Sequence, residues 1–337
     1  MTTEEKHKAV GRAIAEIKKS YKLPEDTMVI TTADKLEPVE KISSGIVSLD
    51  LAMEGGYDCG RFSVISGQVS CGKSTLCLML IANAQKIGKT CVLVDAEHRF
   101  APKWAATQGV SLSELQLITP QGVSAEVVLD TFLKLCKERA ADLVVVDSIT
   151  SLAGAQEQER TMEQETMGLA PKILSKFFRK AVGITFRSGV CGVLVTQHRD
   201  TMSPYAKKID GVPGGHAIKH YAQHILNTTS KGAVDDGFTI GIEVLKATGP
   251  GQSTRVDIPF KYGIGVNVVA DMVDVCIKKG MIEQGGGGFY TVKKEITGGD
   301  EERIRGQESL LGWFQDRGLE GRLRELLVGS NETLQVQ

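Results

Sequence analysis

The stretch RFSVISGQVSCGKSTLCLMLIANA, residues 61–84, constrains this chain more than any other. An apolar run at 62–66 reads as a buried strand, and 75–84 reads as a helix. Between them Gly67, Gly72, Lys73 and Ser74 fit the pattern Gly-x-x-x-x-Gly-Lys-[Ser/Thr] in the strand-before, helix-after context that the pattern demands. Glycines at those positions let successive backbone N–H groups curl around phosphate oxygens at a helix N-terminus. The loop Gly67, Gln68, Val69, Ser70, Cys71, Gly72, Lys73, Ser74 and Thr75 is therefore expected to hold a nucleotide. Lys73 would reach the β- and γ-phosphates, and the Ser74 hydroxyl would bind Mg²⁺.

The rest of the chain fits around that unit. Short β-branched runs at 91–94, 143–146 and 193–195 alternate with helical stretches. Near-continuous apolar strands separated by helices predict an α/β core whose mainly parallel sheet is covered on both faces. Four parts are expected: an N-terminal helix and strand for docking (1–36), the core (37–268), a small α+β C-terminal domain (269–328) and a polar tail (329–337). In the first part Thr2 and Glu5 fit a capping box, and Val10, Ala13, Ile14, Ile17 and Tyr21 form one apolar stripe. A strand is expected at 28–31; one helix and one strand cannot make a core, so they must dock elsewhere. The formal net charge is −1, so any phosphate or nucleic-acid binding must rest on local basic clusters. The seven cysteines include no Cys-x-x-Cys pair, which favours reduced thiols over a disulfide framework or zinc site. No leader-like or membrane-length apolar run is seen, and a cytoplasmic protein is expected.

Polar residues follow several of the strands. Asp147 ends LVVVD and is the expected partner of Ser74 around Mg²⁺. Asp95 and Glu97 follow VLV at 92–94. Either could orient or deprotonate an attacking water, and either could instead cap the next turn. Thr196 and Gln197 end the strand at 193–195, and a long polar stretch follows up to Gly214 and Gly215. A loop of that length in a compact domain is usually functional or disordered. In open α/β sheets ligands sit at the carboxyl ends of the strands, so these ends together point to an ATPase.

From about residue 5 to 328 the chain resembles bacterial RecA-type homologous recombinases. The likeness lies in ISSGIVSLDLAM (42–53), the phosphate loop, GKTCVLVDAEH (88–98), VVVDSITSL (144–152), MGLAPK (167–172), PGGHAIKHYA (213–222), YGIGVN (262–267) and RLRELL (322–327). The resemblance implies a P-loop ATPase core that binds ATP and Mg²⁺ between subunits of a helical filament on single-stranded DNA. Such a filament exchanges strands with homologous duplex DNA in DNA repair, and it can be served by single-strand-binding and loader proteins. By position, Glu97 matches the carboxylate that activates water, Gln197 the glutamine that couples γ-phosphate to DNA, and Lys246 a lysine that reaches a neighbour's γ-phosphate. Trp104 matches an aromatic on adenine, and Tyr262 approaches the base. Residues 160–167 and 198–213 match the two DNA-binding loops, with Met167 and Met202 as wedges between base triplets. Lys172, Arg179, Arg199, Lys207, Lys208, Gly214 and Gly215 are the expected DNA contacts. A ring-forming DnaB-type helicase and a nucleotide-binding regulatory filament are the alternatives on the same core.

The chain also departs from the family pattern. Thr248 stands where a second interface lysine is usual, Ala101 replaces an acid near adenine, His220 replaces an aromatic, and Cys71 replaces a serine. The tail SNETLQVQ lacks the usual acidic run. Departures of this kind from the family pattern suggest a phage-borne or otherwise divergent member. Cys71, at a helix N-terminus beside Lys73, is expected either to be an alkylation target that ATP protects or to be an inert small residue of the loop. His216, His220 and His224 are expected on one helix face, packing rather than binding metal. Arg303, Arg305, Arg317, Arg322 and Arg324 alternate with glutamates and read either as a duplex-capturing face or as a solvated one.

Overall fold

The computed structural model describes residues 1–24, 27–152, 169–197, 215–234, 236–247 and 254–332. The chain divides into two compact units, Met1–Val39 and Glu40–Gln337. In the first, helix α1 (Thr3–Ser20) starts with the expected capping box. Thr2 N–H donates to Glu5 Oε2 at 2.7 Å, and Glu5 N–H donates back to Thr2 Oγ1 at 3.3 Å. None of the helix is buried. The strand expected at 28–31 does not form. A strand is defined by a ladder partner, and no described strand pairs with this segment.

The second unit carries the sheet. In chain order its elements are β1 (Lys41–Ile42), α2 (Val47–Ala52), β2 (Tyr57–Asp58), β3 (Phe62–Gly67), α3 (Lys73–Lys86), β4 (Cys91–Asp95), α4 (Pro102–Thr107), β5 (Gln116–Ile118), α5 (Ala125–Glu138), β6 (Leu143–Asp147), α6 (Leu169–Ser188), β7 (Cys191–Gln197), α7 (Gly215–Tyr221), β8 (His224–Val234), β9 (Gly237–Lys246), β10 (Arg255–Lys261) and β11 (Gly265–Val266). The nine-stranded sheet has the order β11-β10-β9-β8-β3-β7-β6-β4-β5. From β8 to β5 every pair is parallel, as the apolar runs predict, and β9 to β11 add an antiparallel wing.

The pleat divides the core into two layers. Ile65, Leu93, Val145, Val193 and Leu226 face one side, against Leu76 and Leu80 of α3. Val64, Val92, Val144, Leu194 and Ile225 face the other, against Leu129 and Phe132 of α5 and Phe177 and Phe178 of α6. Phe62 sits in that second layer with Phe132, Phe177 and Phe178, all within 6 Å between ring centroids. Helix α7 stops at Tyr221, and His224 opens β8. The three histidines therefore do not share a helix face; the buried His224 Nδ1 lies 3.1 Å from Ser63 Oγ.

The C-terminal residues pack as α8 (Val268–Lys278), β12 (Ile282–Gln284), β13 (Phe289–Val292), α9 (Lys294–Thr297), β14 (Glu302–Arg305), α10 (Gln307–Asp316) and α11 (Glu320–Glu332). Val273, Val292, Phe314 and Leu323 form a third apolar cluster, which Val47 of α2 joins from the core. Two buried aspartates complete that seam. Asp271 accepts from Ser48 N–H at 3.1 Å and also pairs with its hydroxyl. Asp50 accepts from Ser44 N–H at 2.8 Å and faces Arg324 at 3.5 Å. Of the basic C-terminal residues, Arg303 and Arg305 lie over the Phe289 ring and Arg317 over Trp313. Among the described residues no helix is long and apolar enough to cross a membrane.

Candidate functional site

Strand register brings the polar strand ends together. Gly67 at the end of β3 pairs with Gln197 at the end of β7, and Asp95 of β4 pairs with Asp147 of β6. These ends open on a cleft of about 410 Å³ lined by the phosphate loop, Asp95, Glu97, Asp147 and Gln197. It is the carboxyl edge of the sheet, where the crossing connections leave a crevice.

The loop from Gly67 to Gly72 admits no larger residue at either end. A Cβ on Gly67 would lie 2.4 Å from the Thr228 carbonyl oxygen. Gly72, the residue that caps α3, has φ +85°, and a Cβ there would lie 2.4 Å from Ile240 Cδ1. Lys73 is buried, and its ammonium donates to the carbonyls of Gly67 (3.2 Å) and Gln68 (2.5 Å). A cation held by its own loop beside the first turn of α3 suits phosphate oxygens, which would replace weaker carbonyl acceptors. Ser74 Oγ donates to Asp147 Oδ2 at 2.6 Å. Burial raises the Asp147 carboxyl above its ordinary range, opposed by the Ser74 hydrogen bond. A hydroxyl and a carboxylate in contact are an oxygen donor set of the kind that a hard cation takes. The residues present thus fit a Mg²⁺-nucleotide.

The two acidic candidates on β4 separate by geometry. Asp95 is buried, and its two oxygens accept from the main-chain N–H groups of Arg99 (3.1 Å) and Phe100 (2.8 Å). It caps the turn. Glu97 lies in the cleft, and its Oε1 accepts from Gln197 Nε2 (2.5 Å), Ser148 Oγ (2.7 Å) and Ser151 Oγ (3.3 Å). Its Oε2 faces Arg99 at 3.7 Å. A carboxylate with one oxygen held and the other in the cleft can accept a proton or a hydrogen bond from water.

Trp104 lines the far end of the cleft with Phe100, Phe238 and Phe260. Its ring centroid lies 6.1 Å from that of Phe260, which in turn packs on Phe238 at 4.6 Å. This apolar end suits a flat heterocycle. Phe238 and Phe260 were invisible to motif reading, because they come from the antiparallel wing. Alternation in β10, which leaves Phe260 on the buried side, is the one signal that could have found it. Ala101 also lines the cleft. Tyr262 stands outside it, exposed and packed on Phe238 at 5.9 Å.

The Cys71 side chain is 1% exposed, and its sulfur lies 2.8 Å from both the Gln68 carbonyl and Thr228 Oγ1. A thiol packed in this way is shielded from solvent, which favours the inert of the two readings. Lys246 is not part of its own chain's cleft. It donates to the carbonyls of Lys219 (2.7 Å) and His220 (3.3 Å) near the end of α7, and burial lowers its ammonium below the ordinary range. Lys172 and Arg179 are exposed on α6, seven residues apart and so on one face with Lys176. Gly215 opens α7. Met167, Arg199, Met202, Lys207, Lys208, Gly214 and Thr248 lie outside the described residues.

The family profile of the RecA N-terminal domain matches residues 8–266. The crystal structure of the RadB recombinase is similar with a TM-score of 0.51 and 23% sequence identity, over 67% of this chain and 98% of that one. At that identity the likeness speaks for the fold, and it agrees with the strand order and loop described above. A profile match over more than half of the sequence, carried by a phosphate loop and carboxylates in register, places the chain in the RecA family of recombinases.

Proposed function

We propose that this protein is a DNA-dependent ATPase that assembles as a helical filament on single-stranded DNA and exchanges strands with a homologous duplex. The observation that carries the reading is the 2.5 Å contact between Gln197 and Glu97. Gln197 ends the strand that leads into the expected second DNA-binding loop, and Glu97 is the carboxylate proposed to orient the attacking water. A displacement caused by DNA at 198–213 would thereby reach the hydrolytic residue through one side chain.

In this reading Lys73 and the amides from Gln68 to Thr75 bind the phosphates, and Trp104 packs against the base. Ser74 and, through water, Asp147 would hold Mg²⁺, which when bound neutralises phosphate charge. Glu97 accepts a proton from the water that attacks the γ-phosphate, and Gln197 senses that phosphate. Lys246 would act on a neighbour's nucleotide, and Tyr262, exposed beside Phe238, would approach the base from outside the cleft. DNA would be held mostly through phosphates, since homology is read by base pairing and any sequence must be accepted. The basic face of α6, with Lys172 and Arg179, supplies contacts of that kind, as would Arg199, Lys207, Lys208, Gly214 and Gly215, with Met167 and Met202 between base steps. The apolar stripe of α1 would dock on the next subunit.

Electron microscopy with single-stranded DNA and a non-hydrolysable ATP analogue tests the reading. Extended helical filaments are expected. Closed rings would favour a translocating helicase, and assembly indifferent to DNA would favour a nucleotide-binding regulatory filament.

A further inference from the structure

The hydroxyls that follow β6 form a network for which the phosphate-loop reading has no use. Thr150 and Ser151 lie in a single 3₁₀ turn, Ile149–Ser151, directly after Ser148. Gln197 N–H donates to Thr150 Oγ1 at 3.4 Å. Thr150 Oγ1 lies 2.8 Å from Ser148 Oγ, and Ser148 Oγ donates to Glu97 Oε1 at 2.7 Å. A hydroxyl has one proton to give and two lone pairs to receive. Since the Ser148 proton goes to the carboxylate, the Thr150 proton must go to Ser148, and Thr150 receives the amide proton of Gln197. Along this route the donors point one way, from the β7 main chain to Glu97, and bonds aligned in this way polarise one another; Ser151 Oγ lies beside it, 2.9 Å from Ser148 Oγ and 3.3 Å from Glu97 Oε1.

Gln197 therefore holds the same carboxylate oxygen twice. Its side chain does so directly at 2.5 Å, and its main chain does so through two hydroxyls. The two grips respond to different events. A rotamer change releases the side chain and leaves the main-chain route in place. A shift of the β7 end against the Ile149–Ser151 turn breaks the second route.

We propose that Thr150 is a positioning residue: it keeps Glu97 Oε1 held and Oε2 turned to the cleft while the Gln197 side chain is engaged elsewhere, and it passes movement of the β7 end to Glu97. This rests on the reading of Glu97 as the water-orienting carboxylate. Thr150 touches no reacting atom. Its hydroxyl should affect the rate of hydrolysis and leave nucleotide affinity alone.

The test compares ATP hydrolysis in the full chain, with and without single-stranded DNA, for Thr150→Val, Thr150→Ser and Glu97→Gln. Thr150→Val keeps the shape and removes the hydroxyl. It should lower kcat about tenfold, one hydrogen bond's worth of transition-state stabilisation, with KM for ATP unchanged. Thr150→Ser should restore kcat. A Thr150→Val protein with full kcat, beside an inactive Glu97→Gln protein, overturns the inference and leaves the role of Glu97 standing. A Glu97→Gln protein that still hydrolyses ATP removes that role and the inference with it. A Thr150→Val loss that appears in KM, or that Thr150→Ser fails to rescue, also overturns it. If Thr150→Val does not fold, Thr150→Ala is read by the same criteria.

Discussion

Replacing Gly72 by alanine adds one carbon to the phosphate loop and incurs two separable costs. The first is conformational. Gly72 sits at φ +85°, and an L-residue there loses roughly 1–2 kcal/mol. The second is steric. The new Cβ would lie 2.4 Å from Ile240 Cδ1 and 3.2 Å from Cγ1, in a position where Ile240 is fully buried. Overpacking of this kind costs about 1–3 kcal/mol, so the total is on the order of 2–5 kcal/mol. Ile240→Val removes Cδ1 and relieves the worse contact. In the wild-type background it should cost about 0.5–1.5 kcal/mol through its cavity; in the Gly72→Ala background it should be neutral or stabilising. Urea unfolding followed by circular dichroism, on the four proteins of this cycle, reads the difference. A Gly72→Ala midpoint equal to wild type refutes both costs. An Ile240→Val effect that is identical in the two backgrounds refutes the steric share, and full rescue refutes the conformational share.

Two further outcomes follow from the buried groups. Burial raises the Asp50 carboxyl from an ordinary 3.8 to about 6, against the opposing pull of Ser43, Ser44 and Arg324. The folded protein thus binds the proton more tightly than the unfolded chain, so this contribution is full below pH 3.8 and is lost as pH rises through about 6. The stability advantage of wild type over Asp50→Asn should shrink by roughly 2.4 kcal/mol between pH 4 and 7, and an advantage constant with pH would contradict the assignment. For Cys71, mass-spectrometric mapping of maleimide labelling should show modification that tracks urea-induced opening, because the thiol is 1% exposed. Rapid labelling of Cys71 in the native protein would contradict its burial.

The sequence revealed most where structure is local. The phosphate loop was legible because strand, glycines, lysine and helix are consecutive, and Asp147 because it ends an apolar run. The parallel strands were legible because burial on both faces leaves unbroken runs such as LVVV. What remained hidden depends on residues distant in the chain. Phe238 and Phe260 reach the cleft only because β9 and β10 extend the sheet past β8. The residues alone left Asp95 and Glu97 equivalent, and only the family resemblance favoured Glu97; the separation by geometry is local, through two main-chain N–H groups four and five residues after Asp95 that the folded turn presents. No motif singles out Thr150, whose contact with Gln197 exists only because β7 arrives beside it. The segment at 28–31 shows the opposite error, where β-branched composition suggested a strand but supplied no partner edge. Likewise His224 continued a four-residue histidine spacing after the helix itself had ended at Tyr221.

In the proposed function Gln197 couples DNA to Glu97, the carboxylate proposed to orient the attacking water. The most direct measurement is the rate of ATP hydrolysis, with and without single-stranded DNA, in wild type and Gln197→Ala, alongside nucleotide affinity. Wild type should be stimulated by DNA. Gln197→Ala should bind nucleotide as wild type does and hydrolyse it at a rate indifferent to DNA. Normal DNA stimulation in Gln197→Ala would contradict the claim.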